Sequence, residues 1–157
     1  MEHSYLSFHV GSYLLGVSAD NLVEVNRNLK YTNIPGSPKM IRGILNLRGS
    51  LMPLIDLGAY LNIADAKNGT MCIILKVENH EFAIMVDSIG DIASFNTDDL
   101  TPPPSQLGEE FQKTIIGAYR LSQGLLIILD MTTIFANSQS IETKLLNEPE
   151  TAPEKQP

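Results

Sequence analysis

A chain of 157 residues with 43% hydrophobic and 18% charged residues is too apolar to remain disordered, and it is long enough for one ordinary domain or two very small modules. Its formal net charge of -7 gives it no electrostatic attraction to nucleic acid or anionic lipid. The single cysteine, Cys72, excludes an internal disulfide and fits a reducing cytoplasm, while no stretch approaches the roughly 18 apolar residues of a membrane span.

The chain opens Met-Glu-His-Ser-Tyr, which lacks the pattern of a secretory leader. Tyr5–Val10 and Tyr13–Ser18 are predicted strands around Gly11-Ser12, a two-residue hairpin signal. Leu22–Arg27 and Tyr31–Ile34 are further short strands, followed by a Pro35-Gly-Ser-Pro38 loop. Gly43–Leu47 and Leu51–Ile55 form a hairpin around Arg48-Gly49-Ser50, and Pro53 requires that strand to be at an edge or bulged. A short helix is predicted at Leu57–Leu61. Met71–Val77, which buries Cys72 as a small core residue, pairs with Glu81–Val86 across Glu78-Asn79-His80. Ile89–Phe95 is another strand, and Pro102–Pro104 is a stiff, extended segment. Gly117–Leu121 and Gly124–Leu129 give the last hairpin, with a short helix after it at Met131–Ala136. Residues 137–157 form a polar, proline-bearing C-terminal segment whose end is expected to be disordered.

Self-comparison finds the same order of elements twice. Ile41–Leu57 aligns with Ile115–Met131 without a gap: Ile41/Ile115, Gly43/Gly117, Leu47/Leu121, Leu51/Leu125 and Asp56/Asp130 are identical. Upstream, Phe8–Val25 aligns with Leu75–Ile92, with Val10/Val77 and Asp20/Asp87 identical and Glu24/Asp91 both acidic. Many short strands, duplicated, point to a mainly β fold of two small barrels. Modules of roughly 70 residues are marginal alone, so the two halves should share an apolar junction.

Catalytic groupings are not found. His3, His9 and His80 have no metal-ligand spacing. Asp56 and Asp130 each end an apolar strand, where a carboxylate caps the following turn. No phosphate loop, nucleophile elbow or dinucleotide fingerprint occurs. Nothing in these residues argues for catalysis or a metal site.

Ile34-Pro-Gly-Ser-Pro38, followed by Ile41-Arg-Gly-Ile-Leu-Asn-Leu-Arg-Gly-Ser-Leu-Met-Pro-Leu-Ile-Asp-Leu57, closely resembles the signature of the CheW-like chemotaxis coupling proteins. Leu22-Val-Glu-Val25 matches that family's V-x-E-I element, and Thr101–Ser105 with Gly117–Asp130 matches its second half. The resemblance runs from about Tyr5 to Phe135. It implies two tandem five-stranded SH3-like β-barrels with short helices, within a single domain over 1–136. The first barrel is placed at about 18–67 and the second at about 68–136, with strands exchanged at the junction. It further implies a cytoplasmic adaptor with no catalytic activity and no cofactor, monomeric when free and without direct membrane insertion, recruited to membrane-associated receptor arrays. Its partners would be a chemoreceptor's cytoplasmic tip and the regulatory domain of a chemotaxis histidine kinase.

The resemblance also carries candidate partner-binding residues. Arg48 stands at a hairpin tip, where its guanidinium fork can reach a carboxylate. Gly49 supplies the turn and Gly43 a close backbone approach. Glu24 and Leu22 belong to the V-x-E-I element, and Ile92 is their near counterpart in the second repeat. Ser122-Gln123 replaces Arg48-Gly49 there, so only the first repeat carries a charged tip. Two alternatives stand beside this reading. One is an adaptor of a chemotaxis-like system controlling pili, twitching or second messengers; the other is an unrelated β-barrel domain with a small-molecule pocket.

Overall fold

The structure is a computed structural model and describes residues 1–67, 69 and 71–138. Residues 139–157, which hold most of the expected disordered segment, lie outside the described residues. Among the described residues ten strands follow in order: β1 Glu2–Val10, β2 Tyr13–Ser18, β3 Leu22–Asn26, β4 Ile41–Leu47, β5 Ser50–Asp56, β6 Met71–Val77, β7 His80–Val86, β8 Ser88–Asn96, β9 Ile115–Leu121 and β10 Gly124–Leu129. The helices are α1 Leu57–Tyr60 and α2 Glu109–Lys113, and α3 over residues 131–138.

The hairpins follow from their turn residues. Arg48 (φ 52°) and Gly49 (φ 87°) both adopt the left-handed region, as do Glu78 (φ 53°) and Asn79 (φ 68°). Two such residues in succession twist in the sense of the flanking strands, which makes the tightest hairpin loop. The loops are therefore two residues long, one shorter than expected, and Ser50 and His80 begin strands instead. The Asn46 side chain supports the first turn by accepting from the Gly49 N–H at 3.1 Å.

The strands assemble into two five-stranded sheets, in the orders β8-β1-β2-β10-β9 and β3-β6-β7-β5-β4. The two halves exchange strands at the junction. Strands β6 and β7 join the sheet built from β3 to β5, while β1 and β2 join the one built from β8 to β10. Each repeat thus lends its first hairpin to the other. Each sheet contains one parallel pairing between the repeats, β10–β2 and β5–β7 (Leu126↔Leu14 to Ile128↔Gly16, and Leu54↔Ala83 to Asp56↔Met85). Parallel neighbours need a long crossover, and in both pairings the partners are well separated along the chain.

Both sheets curl until their edge strands meet. In the first, Phe95 of β8 stacks on Tyr119 of β9 with ring centroids 4.8 Å apart. In the second, Glu24 of β3 pairs with Arg48 beyond the end of β4. One face of each strand then fills its own barrel, as Leu45, Met52, Leu54, Cys72, Ile74 and Ala83 do in one and Tyr5, Tyr119, Leu126 and Ile128 in the other. The opposite face of the same strands packs into a single cluster shared by both sheets, including Phe8, Leu15, Ile55, Ile73, Phe82 and Ile127. Strands buried on both faces read as unbroken apolar runs rather than as alternation. Cys72 is wholly buried, and burial pushes its thiol up to about 11, with the charge of Glu24 acting in the same direction.

Two local expectations are corrected, the first being the edge or bulge at Pro53: β5 lies inside its sheet, between β7 and β4, with its register unbroken at Pro53. Tyr31–Ile34 is not a strand; only Thr32 pairs, through a bridge to Ile44 with bonds of 3.0 and 2.9 Å. That bridge turns both polar groups of Ile44 away from its partner Pro53. Ile44 therefore asks no N–H of Pro53, and the parallel pairing on the other side of β5 starts only at Leu54. The second repeat has the same bridge, Thr101 to Ala118.

Candidate protein-docking surface

Strand β3 is irregular: its register against β6 shifts between Leu22 and Glu24. The extra residue of such a bulge re-aims its neighbours. Val23 is left exposed, while Leu22 and Val25 pack on the shared core. Glu24 is turned toward the β4–β5 tip, where its carboxylate accepts from the Arg48 guanidinium. The Arg48 side chain is 71% exposed and that of Glu24 32%, so the pair keeps a free guanidinium edge toward solvent. Two residues singled out separately in the sequence are thus one unit.

The other candidates are distributed differently. Gly49 has open space where a Cβ would stand, so its glycine answers to the turn alone. Gly43 is held by packing: a Cβ there would lie 2.2 Å from the Thr32 carbonyl oxygen, and its repeat mate Gly117 meets the Thr101 carbonyl oxygen in the same way. Ile92 stands on the other sheet, in β8, and is 56% exposed. The bulge of β8 carries Asp91, the repeat mate of Glu24. Its backbone N–H donates to the Ser7 hydroxyl at 3.3 Å, and its carbonyl accepts from that hydroxyl at 3.2 Å.

Sequence reasoning missed Leu51. It follows the Arg48 turn directly and is 69% exposed. The signal was parity: Met52 and Leu54 face the barrel interior, so Leu51 faces the other way, at the end of β5 that extends past the shared core. It also missed the pair between Arg42 and Asp56. That pairing, with Tyr31 adding to it, raises the Arg42 pKa against the opposing effect of burial. Asp56 caps α1 by accepting from the Ala59 N–H at 3.2 Å. Asp130 accepts from the Thr132 and Thr133 N–H groups. Both carboxylates are therefore turn caps, as expected. No group of three or more His, Cys, Asp or Glu is placed to hold a metal among the described residues.

Two clefts mark equivalent places on the barrels, where parallel strands diverge. One, of about 400 Å³, lies between Leu51, Pro53, Lys76, His80 and Phe135. Its counterpart, of about 480 Å³, lies between Leu125, Ile127, His9 and Tyr13, and its wall includes Pro104 and Leu107.

The family model of the CheW-like domain matches residues 4–139. The chain belongs to the CheW-like domain family. Among CheW-like relatives, it is 27% identical over 136 residues to the chemotaxis protein CheW of Thermotoga maritima, covering 85% of this chain and 87% of that protein. It is 29% identical over 105 residues to protein FrzA of Myxococcus xanthus, covering 66% of each chain. The crystal structure of the scaffolding protein TtCheW from Thermoanaerobacter tengcongensis superposes with a TM-score of 0.73 at 24% identity, covering 82% of this chain and 89% of that one. The expected CheW-like architecture of two five-stranded SH3-like barrels on a common junction is thereby borne out. No helix among the described residues is long and apolar enough to cross a membrane.

Proposed function

We propose that this chain is a non-enzymatic adaptor that couples the cytoplasmic tip of a chemoreceptor to the regulatory domain of a chemotaxis histidine kinase. The observation that carries the reading is the exposed Glu24–Arg48 pair, set beside the apolar Val23 and Leu51, in a chain with a CheW-like fold. A few desolvated apolar anchors with one oriented charge are what a protein interface uses for affinity and register. The barrel interiors are filled by side chains, which favours action through the outer surface over a small molecule held inside. Kinase control by such an adaptor is a shift between receptor states that it holds with different affinity. On this reading the protein works in the cytoplasm, at receptor arrays, as a monomer until bound, within one domain over about residues 1–136.

The test is reconstitution with purified components. A receptor-tip fragment should retain the kinase regulatory domain on a column only when this chain is present. Retention independent of the chain, or binding of neither component, overturns the proposal.

A further inference from the structure

We infer that the cleft at the start of β4 seats a carboxylate side chain of a partner protein, and that this seat tells the partner which of the two alike barrels it has met. The cleft, of about 450 Å³, lies between the start of β4 and α1, and its wall includes Lys39, Arg42, Asp56, Gly58 and Asn62. Two of its charged side chains are cationic and one is anionic, in a chain whose net charge is -7. The one carboxylate, Asp56, is buried and already accepts from Arg42 and from the Ala59 N–H. That ion pair holds the guanidinium in place, so an incoming group need not order it. Lys39 is exposed and forms no ion pair among the described residues. The neighbouring acid, Asp65, lines a different cleft, beside the β1–β2 turn.

The second repeat supplies the comparison. The backbone fixes the equivalent place: the Asp56 N–H donates to the Met40 carbonyl at 2.8 Å, and the Asp130 N–H to the Thr114 carbonyl at 2.7 Å. Lys39 therefore corresponds to Lys113, and Arg42 to Ile116. Lys113 is drawn to Glu109 at 3.9 Å, Glu110 lies in the same short helix, and the exposed Ile116 takes the place of the guanidinium. One place attracts a carboxylate and its mate repels one. A fold of two alike barrels offers a partner two alike orientations, and a charge accepted at one and rejected at the other discriminates between them. Arg42 and Arg48 stand near opposite ends of β4, roughly 20 Å apart at the rise of a strand, so the cleft and the hairpin tip together set the partner's direction. The partner's identity rests on the adaptor reading; the preference of the cleft does not.

The experiment is an NMR titration of the isotopically labelled full chain with a capped tetraglutamate peptide at low ionic strength. Saturable amide shifts are expected at Lys39, Gly58, Ala59 and Asn62, with none at residues 113–116. Lys39→Gln should weaken binding about fivefold, whereas Lys113→Gln should leave it unchanged. The tetraglutamine peptide should give no shifts. Equal shifts at both equivalent places, or no dependence on Lys39, overturn the inference. So does inorganic phosphate binding as tightly as the peptide, which would make the cleft a site for small free anions. In the reconstituted assembly, Lys39→Glu should cost about tenfold in affinity for one of the two partners, and Lys113→Glu should not; unchanged affinity for both overturns the inference. If the unsubstituted chain holds neither partner, the adaptor reading fails, and the peptide titration still decides the cleft.

Discussion

Arg48 meets two demands at once. It sits in the left-handed region, which costs a residue with a side chain about 1–2 kcal/mol relative to ordinary backbone, and its guanidinium is tied to Glu24. Asparagine or glycine would suit the turn better, so the arginine is explained by its side chain. An exposed ion pair adds little to stability, about 0–1 kcal/mol; its place in the surface matters more. Replacing Arg48 by Glu sets two carboxylates against each other and should weaken partner binding about tenfold, near 1.4 kcal/mol. The melting temperature should hardly change. The exchange Glu24→Arg/Arg48→Glu restores the pair with its polarity reversed. Isothermal titration separates the possibilities: if the partner reads the guanidinium at the tip, the double variant stays weak. If only the pair's geometry matters, affinity returns.

At the scale of the element, the two halves show one motif with unequal reinforcement. Asp56 and Asp130 each end a strand and cap the helix that follows, yet only Asp56, 5% exposed, also accepts from an arginine. The repeat mate of Arg42 is Ile116, half exposed. Loss of a cap costs about 1 kcal/mol, and Asp56→Ala also removes one acceptor of the Arg42 guanidinium. Urea titration should therefore give about 1 kcal/mol lost for Asp130→Ala and about 2 kcal/mol for Asp56→Ala. The caps and hairpins were legible because their signals are local: a turn pair, a strand-ending aspartate, an alternating or continuous apolar run. Thr32 was not, since its only ladder partner is Ile44. Helix α2 was not either, because five residues with Phe111 alone buried carry no periodicity.

For the molecule as a whole, the repeat was legible in the residues, while the exchange of strands was expected only from the family resemblance. Identity between Ile41–Leu57 and Ile115–Met131 says that two units have the same design, but it does not say which first hairpin joins which second half. That choice is made by contacts across the shared cluster, where Phe8, Leu15, Ile73 and Phe82 meet. Since each sheet draws strands from both repeats, neither barrel can lose its order without opening the other. Denaturant unfolding should show one transition, coincident by circular dichroism and by tyrosine fluorescence, to which Tyr5 and Tyr119 inside the first barrel contribute. Two separated transitions would mean that the junction contributes little.

The exchange also has a consequence for biosynthesis. The hairpin of β1 and β2 leaves the ribosome first, but its parallel neighbour β10 is the last strand to be made. At roughly 5–20 residues per second, that hairpin waits seconds with an unpaired edge and apolar side chains in the open. Translation pauses and chaperone occupancy over the first part of the message should therefore influence the yield of this protein more than its modest size would suggest.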